Sequence, residues 1–229
     1  PNTSSAASDV YKRQAEDWLL RRFGAALHGG RRGSGRSGEL RIYRPGPEVV
    51  ERSAVRLLED GTAIVRFSAG LPAGGRRVLG RQAYEMFTED IPAAAESLWV
   101  PEHAELAAHV ASVRTQRALR RQLEARGLVA FIADGSVLPR SSGISQDPMT
   151  DAVPFVSPES LRVTLDGPDG PIAGLGIGAG LTLIVGGGFH GKSTLLSALQ
   201  RGHLDHIPGD GRERVVAISD TVKILSLIH

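Results

Sequence analysis

Apolar residues recur along the chain at two spacings, which predict a mixture of helices and strands. Where they return at every third or fourth position a helix is expected, and the predicted helices span 15–27, 78–87, 93–99 and 102–126. Short runs of apolar, β-prone residues predict strands at 40–43, 54–58, 63–67, 128–133, 161–165, 172–175, 181–185 and 215–220. The sequence therefore predicts a chain that contains both helices and strands.

Turn signals join some of these strands into hairpins, and a polar stretch marks one domain boundary. Asp60 and Gly61 lie between two predicted strands, which is a strong hairpin signal, and residues 166–171 separate a second pair. Residues 141–159 are polar and punctuated by Pro and Gly, as is typical of a linker. We therefore predict one domain over residues 15–150 and the start of another over residues 151–224.

Composition narrows the classes of function and location. The formal net charge is +2, so the charge of the whole chain gives no argument for nucleic acid. The chain has 0 Cys, which excludes disulfides and cysteine-ligated metal sites and suits a reducing compartment. No apolar run approaches the length of a membrane span, and no secretory leader is recognisable. We expect a soluble, cytoplasmic protein without a membrane partner.

The most specific motif is the glycine-rich stretch at residues 186–193, GGGFHGKS, which fits the P-loop pattern G-x-x-x-x-G-K-[ST]. The apolar run at 181–185 before it predicts a buried parallel strand. After it, Leu195 and Leu199 recur at helical spacing, and Gly202 stands where the C-cap of a helix is expected. Strand, glycine loop and helix together form the context in which this motif binds phosphate.

The residue types of the motif explain how it would hold ATP and Mg²⁺. Glycines permit positive φ, so successive backbone N–H groups can form an anion-binding nest at the start of the helix. Lys192 can reach the β- and γ-phosphates, which gives it a catalytic role, and the Ser193 hydroxyl can ligate Mg²⁺. The predicted nucleotide-binding residues are Gly186, Gly187, Gly188, Phe189, His190, Gly191, Lys192, Ser193 and Thr194. The alternative interpretation is a glycine-rich turn without a ligand.

Other polar residues occur where a catalytic acid or a metal ligand could occur, but a structural role is the favoured interpretation for each. Asp134 and Asp220 follow apolar strands, as a Walker B acid does. The first precedes the P-loop, however, and the second follows it too closely and lacks an adjacent glutamate. The loop at 203–212 carries His203 and His206 and could hold a metal, yet no second cluster stands at a ligand spacing. We expect ordinary strand ends and an ordinary loop.

Arginines cluster in two places and motivate a nucleic-acid hypothesis. The flexible segment at 29–38, GGRRGSGRSG, contributes Arg31, Arg32 and Arg36. The second half of the predicted helix 102–126 contributes Arg114, Arg117, Arg120 and Arg121. A solvated loop and a solvated helix face are the favoured interpretations, although either cluster could contact phosphates of RNA or DNA.

Four segments resemble the predicted ATPases of the ABC class. They are GLVAFIADGSVLPRSSGIS at 127–145, AVPFVSPESLRVTL at 152–165, LTLIVGGGFHGKSTLLSAL at 181–199 and HIPGDGRERVV at 206–216. The resemblance implies an α/β fold, with an N-terminal α+β domain followed by the first part of an ABC-type P-loop NTPase domain. It also implies a homodimer formed through the ATPase domain, without a transmembrane domain in the chain. The Walker B acid, the water-orienting glutamate and the signature loop of that family are missing, so we expect this fragment to be inactive.

The two ends of the chain suggest a foreign origin. Residues 9–14, DVYKRQ, are encoded by GATGTGTATAAGAGACAG, which resembles a transposon end used to prepare sequencing libraries. Residues 225–229, LSLIH, are encoded by CTGTCTCTTATACAC, the reverse complement of the same string. We expect residues 1–14 and 225–229 to be adaptor sequence and the native gene to continue past Ile224.

Three functions agree with these observations. ATP binding and hydrolysis by a soluble ABC-class ATPase is favoured. A P-loop kinase acting on a small molecule is the first alternative, and it would need an acceptor pocket. The second alternative is a nucleic-acid-binding protein that uses ATP as a switch.

Overall fold

The computed structural model describes residues 3–28, 32–99 and 104–224. The helices in these segments are α1 (Thr3–Ala26), α2 (Gly80–Glu85), α3 (Ile91–Glu96), α4 (Ala104–Gln122) and α5 (Lys192–Arg201). A π-helix covers Met86–Asp90, and 3₁₀-helices cover Glu124–Arg126 and Glu159–Leu161. The strands are β1 (Leu40–Arg41), β2 (Glu48–Val49), β3 (Val55–Leu57), β4 (Ala63–Val65), β5 (Ser68–Ala69), β6 (Ala73–Gly74), β7 (Arg77–Val78), β8 (Leu128–Ala133), β9 (Arg162–Gly167), β10 (Gly170–Gly178), β11 (Asp205–His206) and β12 (Val215–Ala217).

The chain divides into two compact units. The first comprises Pro1–Pro45 and Val50–Ala107, and the second comprises Gly46–Val49 and Ala108–His229. The domain boundary expected between residues 150 and 151 falls inside the second unit and stays a prediction. Arg31, residues 102–103 of the predicted long helix and the supposed adaptor residues 1–2 and 225–229 lie outside the described segments.

The first unit is built on α1, whose apolar side faces short strands and the helices that follow them. Phe23 of α1 and Leu27, the residue after α1, are buried against Leu40, Met86 and Ala94. The hairpin predicted around Asp60 and Gly61 is confirmed, because β3 and β4 pair antiparallel. The helices predicted at 78–87 and 93–99 are also confirmed, as one helical stretch running through α2, the π-helix and α3.

The second unit is a four-stranded antiparallel sheet between two helices. The strand order is β12-β8-β10-β9, so the hairpin predicted around residues 166–171 is confirmed as β9 and β10. Successive residues of a strand face opposite sides of its sheet. Phe131 of β8 accordingly packs with Leu119 of α4 and with Leu123, the residue after α4, whereas Ile132 packs with Ala198 of α5. The P-loop helix therefore covers one face of a sheet whose other face α4 covers.

The predicted strand at 181–185 is wrong in this structure. No strand is formed there, and the side chains of Leu181, Leu183 and Val185 are 100%, 80% and 75% exposed. A parallel strand needs neighbours on both sides to receive its backbone hydrogen bonds and cover its apolar residues. Within the described segments no strand pairs with this run, so its apolar pattern is present without the partner that would make it a strand.

The helix predicted after the P-loop is confirmed as α5, with Gly202 at its C-cap. Gly202 has a right-handed backbone, with φ of −63°, so a left-handed turn is not the reason for glycine here. A Cβ at this position would lie 3.1 Å from the backbone N of Ala217 and 3.2 Å from the O of Val215. The glycine lets the end of α5 approach β12 closely.

None of the helices in residues 3–28, 32–99 and 104–224 has the length and apolar character needed to cross a membrane.

Candidate nucleotide-binding site

The P-loop forms an open turn that leads directly into α5. Gly191 is the N-cap and has φ of 76°, a left-handed conformation that favours glycine. The first helical hydrogen bond runs from the Leu195 N–H to the Gly191 carbonyl, at 2.9 Å. The N–H groups of the first turn have no acceptor within the helix, and they lie at the positive end of its dipole. This end of α5 has the polarity needed to bind an anion.

Lys192 folds back over the loop that precedes it. Its Nζ donates to the carbonyl oxygen of Gly186 at 2.6 Å and to that of Gly187. The amine therefore lies inside the turn of the loop, where its charge is held by two backbone dipoles. Those carbonyls are ordinary acceptors, so the same amine can be released to a stronger, anionic acceptor.

His190 holds the loop in shape, a role that the sequence did not reveal. Its Nδ1 accepts a hydrogen bond from the Gly187 N–H at 3.1 Å. A Cβ at Gly187 would lie 3.1 Å from Cε1 of the same ring, so the imidazole sits directly against the glycine backbone. Phe189 lies at the fully exposed tip of the loop, at a φ of 62° that is uncommon outside glycine.

A pocket of about 300 Å³ opens beside Lys192. Predicted site residues and apolar residues line it together: Leu138, Pro139, Val153, Phe155, Ile184, Val185, His190, Gly191, Lys192, Thr194 and Leu195. Ser193 lies instead on a neighbouring polar cleft, which Thr194 also lines. The structure thus brings the second half of the motif to the pocket, while Gly186, Gly187 and Gly188 form the turn above it.

Val153 and Phe155 are pocket residues that sequence analysis missed, because both lie in the segment interpreted as a linker. Phe155 is fixed by two backbone hydrogen bonds of 2.8 Å: the Gly135 N–H donates to its carbonyl, and its own N–H donates to the Ser136 carbonyl. Val153 is 86% exposed. Two apolar residues in an otherwise polar stretch were the available signal.

The two aspartates at strand ends have the structural roles expected of them. Asp134 accepts hydrogen bonds from the Ser157 N–H at 2.5 Å and from the Ser157 hydroxyl at 3.0 Å. It also lies 3.5 Å from the Nε of Arg162. Asp220 is exposed, and its carboxylate accepts from the neighbouring Ser219 hydroxyl. Neither aspartate lines the pocket beside Lys192.

The loop at 203–212 forms a buried hydrogen-bond network. His206 Nδ1 lies 2.8 Å from Asp210 Oδ2, and Arg140 Nη2 donates to the same oxygen at 3.0 Å. Burial raises the pKa of the Asp210 carboxyl, but the contacts with His206 and Arg140 outweigh burial and leave its pKa below the ordinary 3.8. No group of three or more His, Asp or Glu side chains placed to hold a metal is found among the described residues.

The expectation of a solvated face is wrong for two of the arginines on α4. Arg117 Nε and Arg120 Nη1 donate to the two carboxylate oxygens of Asp205, at 2.8 and 2.9 Å. The Asp205 side chain is only 7% exposed, so it offers a fixed acceptor that sequence spacing could not reveal. Arg114 and Arg121 are exposed, as expected.

Comparisons with known proteins identify the family of both parts of the chain. A family model described as the P-loop domain of the ABC_ATPase family matches residues 102–226, and a model described as the N-terminal domain of ATPases of the ABC class matches residues 2–101. The chain is also 35% identical over 124 residues to the uncharacterized protein MJ1628 of Methanocaldococcus jannaschii. That match covers 50% of this chain and 27% of the other, so the chain spans only part of its relative's length. The predicted order of an N-terminal domain followed by a P-loop domain is confirmed, and the chain belongs to the ATPases of the ABC class.

Proposed function

We propose that the chain binds ATP with Mg²⁺ at residues 186–194 and that the complete protein hydrolyses it. The observation that carries the proposal is the position of the Lys192 amine, which is held inside the glycine turn by the carbonyls of Gly186 and Gly187. On binding ATP, the amine would exchange these uncharged acceptors for negatively charged phosphate oxygens. The ammonium group attracts a full negative charge more strongly than it attracts a carbonyl dipole, so the exchange favours the bound state.

The remaining parts of the site suit the other parts of the nucleotide. The N–H groups at the start of α5 suit phosphate oxygens. The Ser193 hydroxyl is exposed and makes no hydrogen bond within the described residues, which leaves it free to hold Mg²⁺. The metal would neutralise charge on the phosphates. Phe155, Val153 and Ile184 provide an apolar wall that suits a planar base.

Hydrolysis needs groups that this part of the protein does not place at the pocket. Phosphoryl transfer depends on a positioned water and on neutralisation of the charge of the transferred group. No carboxylate is among the described residues that line the pocket beside Lys192. We propose that the complete protein supplies these groups, acting as a homodimer through its ATPase domain.

Replacement of Lys192 tests nucleotide binding directly. In the complete gene product, Lys192→Ala should weaken ATP binding by about 100-fold or more, because it removes the charge aimed at the phosphates. Lys223→Ala is the matched control, since Lys223 is an exposed lysine of the same unit. Calorimetric titration with MgATP would overturn the proposal if both variants bound ATP as the parent does.

A second candidate function is nucleic-acid binding that is switched by ATP, and two exposed arginines of α4 support it. Arg114 and Arg121 are exposed and form no ion pair within residues 104–224. They are therefore available to phosphates, whereas Arg117 and Arg120 are engaged by Asp205. Retention on single-stranded RNA or DNA that falls steeply with salt, and less steeply in Arg114→Ser/Arg121→Ser, is the expected result. No retention at low salt would remove this candidate.

A further inference from the structure

A second, polar cleft runs along α5 next to the pocket beside Lys192, and Pro139 and Thr194 line both. Its volume is about 450 Å³, within the range of small-molecule sites. Hydroxyl groups and arginines dominate its lining, which comprises Pro139, Arg140, Ser142, Gly143, Ser145, Gln146, Ser193, Thr194, Ser197, Gln200, Arg201 and Arg212. No carboxylate belongs to that lining among the described residues.

Arg212 is a buried cation that forms no ion pair with any carboxylate of the described residues. The residue is 5% exposed, and its Nε and Nη2 both donate to the carbonyl oxygen of Leu138. No hydrogen bond from Nη1 and no ion pair joins it to any residue in the described segments. Burying a charge without a counter-ion is costly, and one carbonyl is a weak compensation. An anion bound in the cleft that Arg212 lines would supply a negative charge next to its guanidinium group.

The neighbouring charges leave the end of the cleft positive. Arg140 is engaged by Asp210, but Arg201 uses only its Nη1, which donates to Glu48 and Gln146. Its Nε and Nη2 have no acceptor within the described residues. Burial lowers the pKa of the Arg212 guanidinium to about 10, and the positive charges of Arg140 and Arg201 add to this against the opposing effects of the acids. These charged groups are thus three arginines, Arg140, Arg201 and Arg212, and two acids, Asp210 and Glu48.

We propose that this cleft binds the phosphoryl group of a small phosphorylated ligand. Free donors of Arg212 and Arg201 would take its oxygens, and Ser197 of α5 adds a hydroxyl donor along the same wall. Two guanidinium groups and a hydroxyl offer enough donors for the three oxygens of a phosphoryl group. Arg201, Arg212 and Ser197 all lie outside residues 186–194, so the inference does not use the side chains assigned to the nucleotide site.

Ser197 offers a test that leaves the fold and the P-loop in place. Ser197→Asp places a negative charge on the wall of the cleft, and Ser197→Asn places a neutral group of the same shape there. In the complete gene product, titrated with inorganic phosphate at constant ionic strength, Ser197→Asp should bind phosphate about tenfold more weakly or worse. Ser197→Asn should stay within about twofold of the parent, because it adds no charge. Equal phosphate affinity in the two variants would overturn the proposal.

Two further variants separate the cleft from the P-loop, which can itself hold phosphate. Phosphate binding in the cleft should persist in Lys192→Ala, while MgATP binding is lost. It should be strongly reduced in Arg212→Gln. Loss of phosphate binding in Lys192→Ala, with no change in Ser197→Asp, would show that the P-loop is the phosphate site and that the inference is wrong. If Arg212→Gln does not fold, the Ser197 pair decides the question.

Discussion

Gln116 and His206, 90 residues apart in the sequence, exchange two hydrogen bonds inside the second unit. The side-chain Nε2 of Gln116 donates to the carbonyl of His206 at 2.8 Å, and the His206 N–H donates to Oε1 of Gln116 at 2.7 Å. Both residues are 1% exposed. The side-chain amide of Gln116 thus pairs with both backbone polar groups of His206, as a residue of a neighbouring strand would.

Gln116→Ala should destabilise the protein by about 3 kcal/mol, because it leaves a buried N–H and a buried C=O of His206 without partners. Gln122 supplies a matched control, since it exchanges the same two bonds with Asp166 at an exposed position. Gln122→Ala should cost less than about 1 kcal/mol, because water replaces the lost bonds. Urea unfolding of both variants measures the difference, and equal losses would contradict the role given to burial.

The pH dependence of stability should contain a contribution from Asp210. Its folded-state pKa lies below the ordinary 3.8, so its contribution is complete above that pH and is lost as pH falls through the lower, folded-state value. Asp210→Asn should therefore be less stable than the parent near pH 7 and should lose less stability as the pH is lowered below 3.8.

Asp169→Asn is the control for this measurement, because Asp169 is exposed in the turn between β9 and β10. Urea unfolding at several pH values gives the comparison. A parent and an Asp210→Asn variant with the same loss of stability on acidification would contradict the contribution assigned to Asp210.

The sequence predicted the helices, strands and turns that are determined by residues close to one another in the chain. β8 was predicted with its observed limits, because a continuous apolar run is bounded by Gly127 and by the Asp134-Gly135 turn. Both hairpins were predicted from their turn residues. Neither the missing strand at 181–185 nor the pairing of Arg117 with Asp205, 88 residues away, could be foreseen. Each depends on which distant partner is present, and periodicity carries no information about that.

In the candidate site, too, the sequence predicted what depends on neighbouring residues and missed what depends on distant ones. The P-loop and its helix were identified from residues 186–193, where every constraint lies within a few positions. Phe155 reaches the pocket through backbone hydrogen bonds to Gly135 and Ser136, just after β8, and Val153 lies two residues before it; the sequence does not display these bonds. Arg212 was likewise read only as part of a loop, because its burial results from the packing of 203–212 against Leu138.

Ser193→Ala should weaken the dependence of ATP binding on Mg²⁺ more than it weakens binding of ATP alone, because it removes a metal ligand and leaves the anion nest intact. Ser193→Thr keeps the hydroxyl and satisfies the motif, so it should behave as the parent does. Titration of ATP affinity against Mg²⁺ concentration distinguishes them. A normal Mg²⁺ response in Ser193→Ala would remove the metal role from this residue.

His190→Ala should reduce ATP affinity by about three- to tenfold, because the loop must then order without the hydrogen bond to the Gly187 N–H. His190→Asn places an amide oxygen near the position of Nδ1 and should restore much of the loss. Calorimetric titration of both variants is the measurement. If alanine and asparagine give the same affinity, the imidazole does not act through that acceptor.

Hydrolysis is expected to be absent from residues 15–224 even though the P-loop is present. The pocket beside Lys192 has no carboxylate among its described residues, so a bound γ-phosphate would meet no positioned water. The available aspartates are committed elsewhere: Asp134 to Ser157, and Asp210 to His206 and Arg140. Phosphate release should therefore be at background for this segment and Lys192-dependent for the complete gene product. Lys192-dependent release by the segment alone would mean that Asp134, Asp210 or Asp220 rearranges to serve as the catalytic acid.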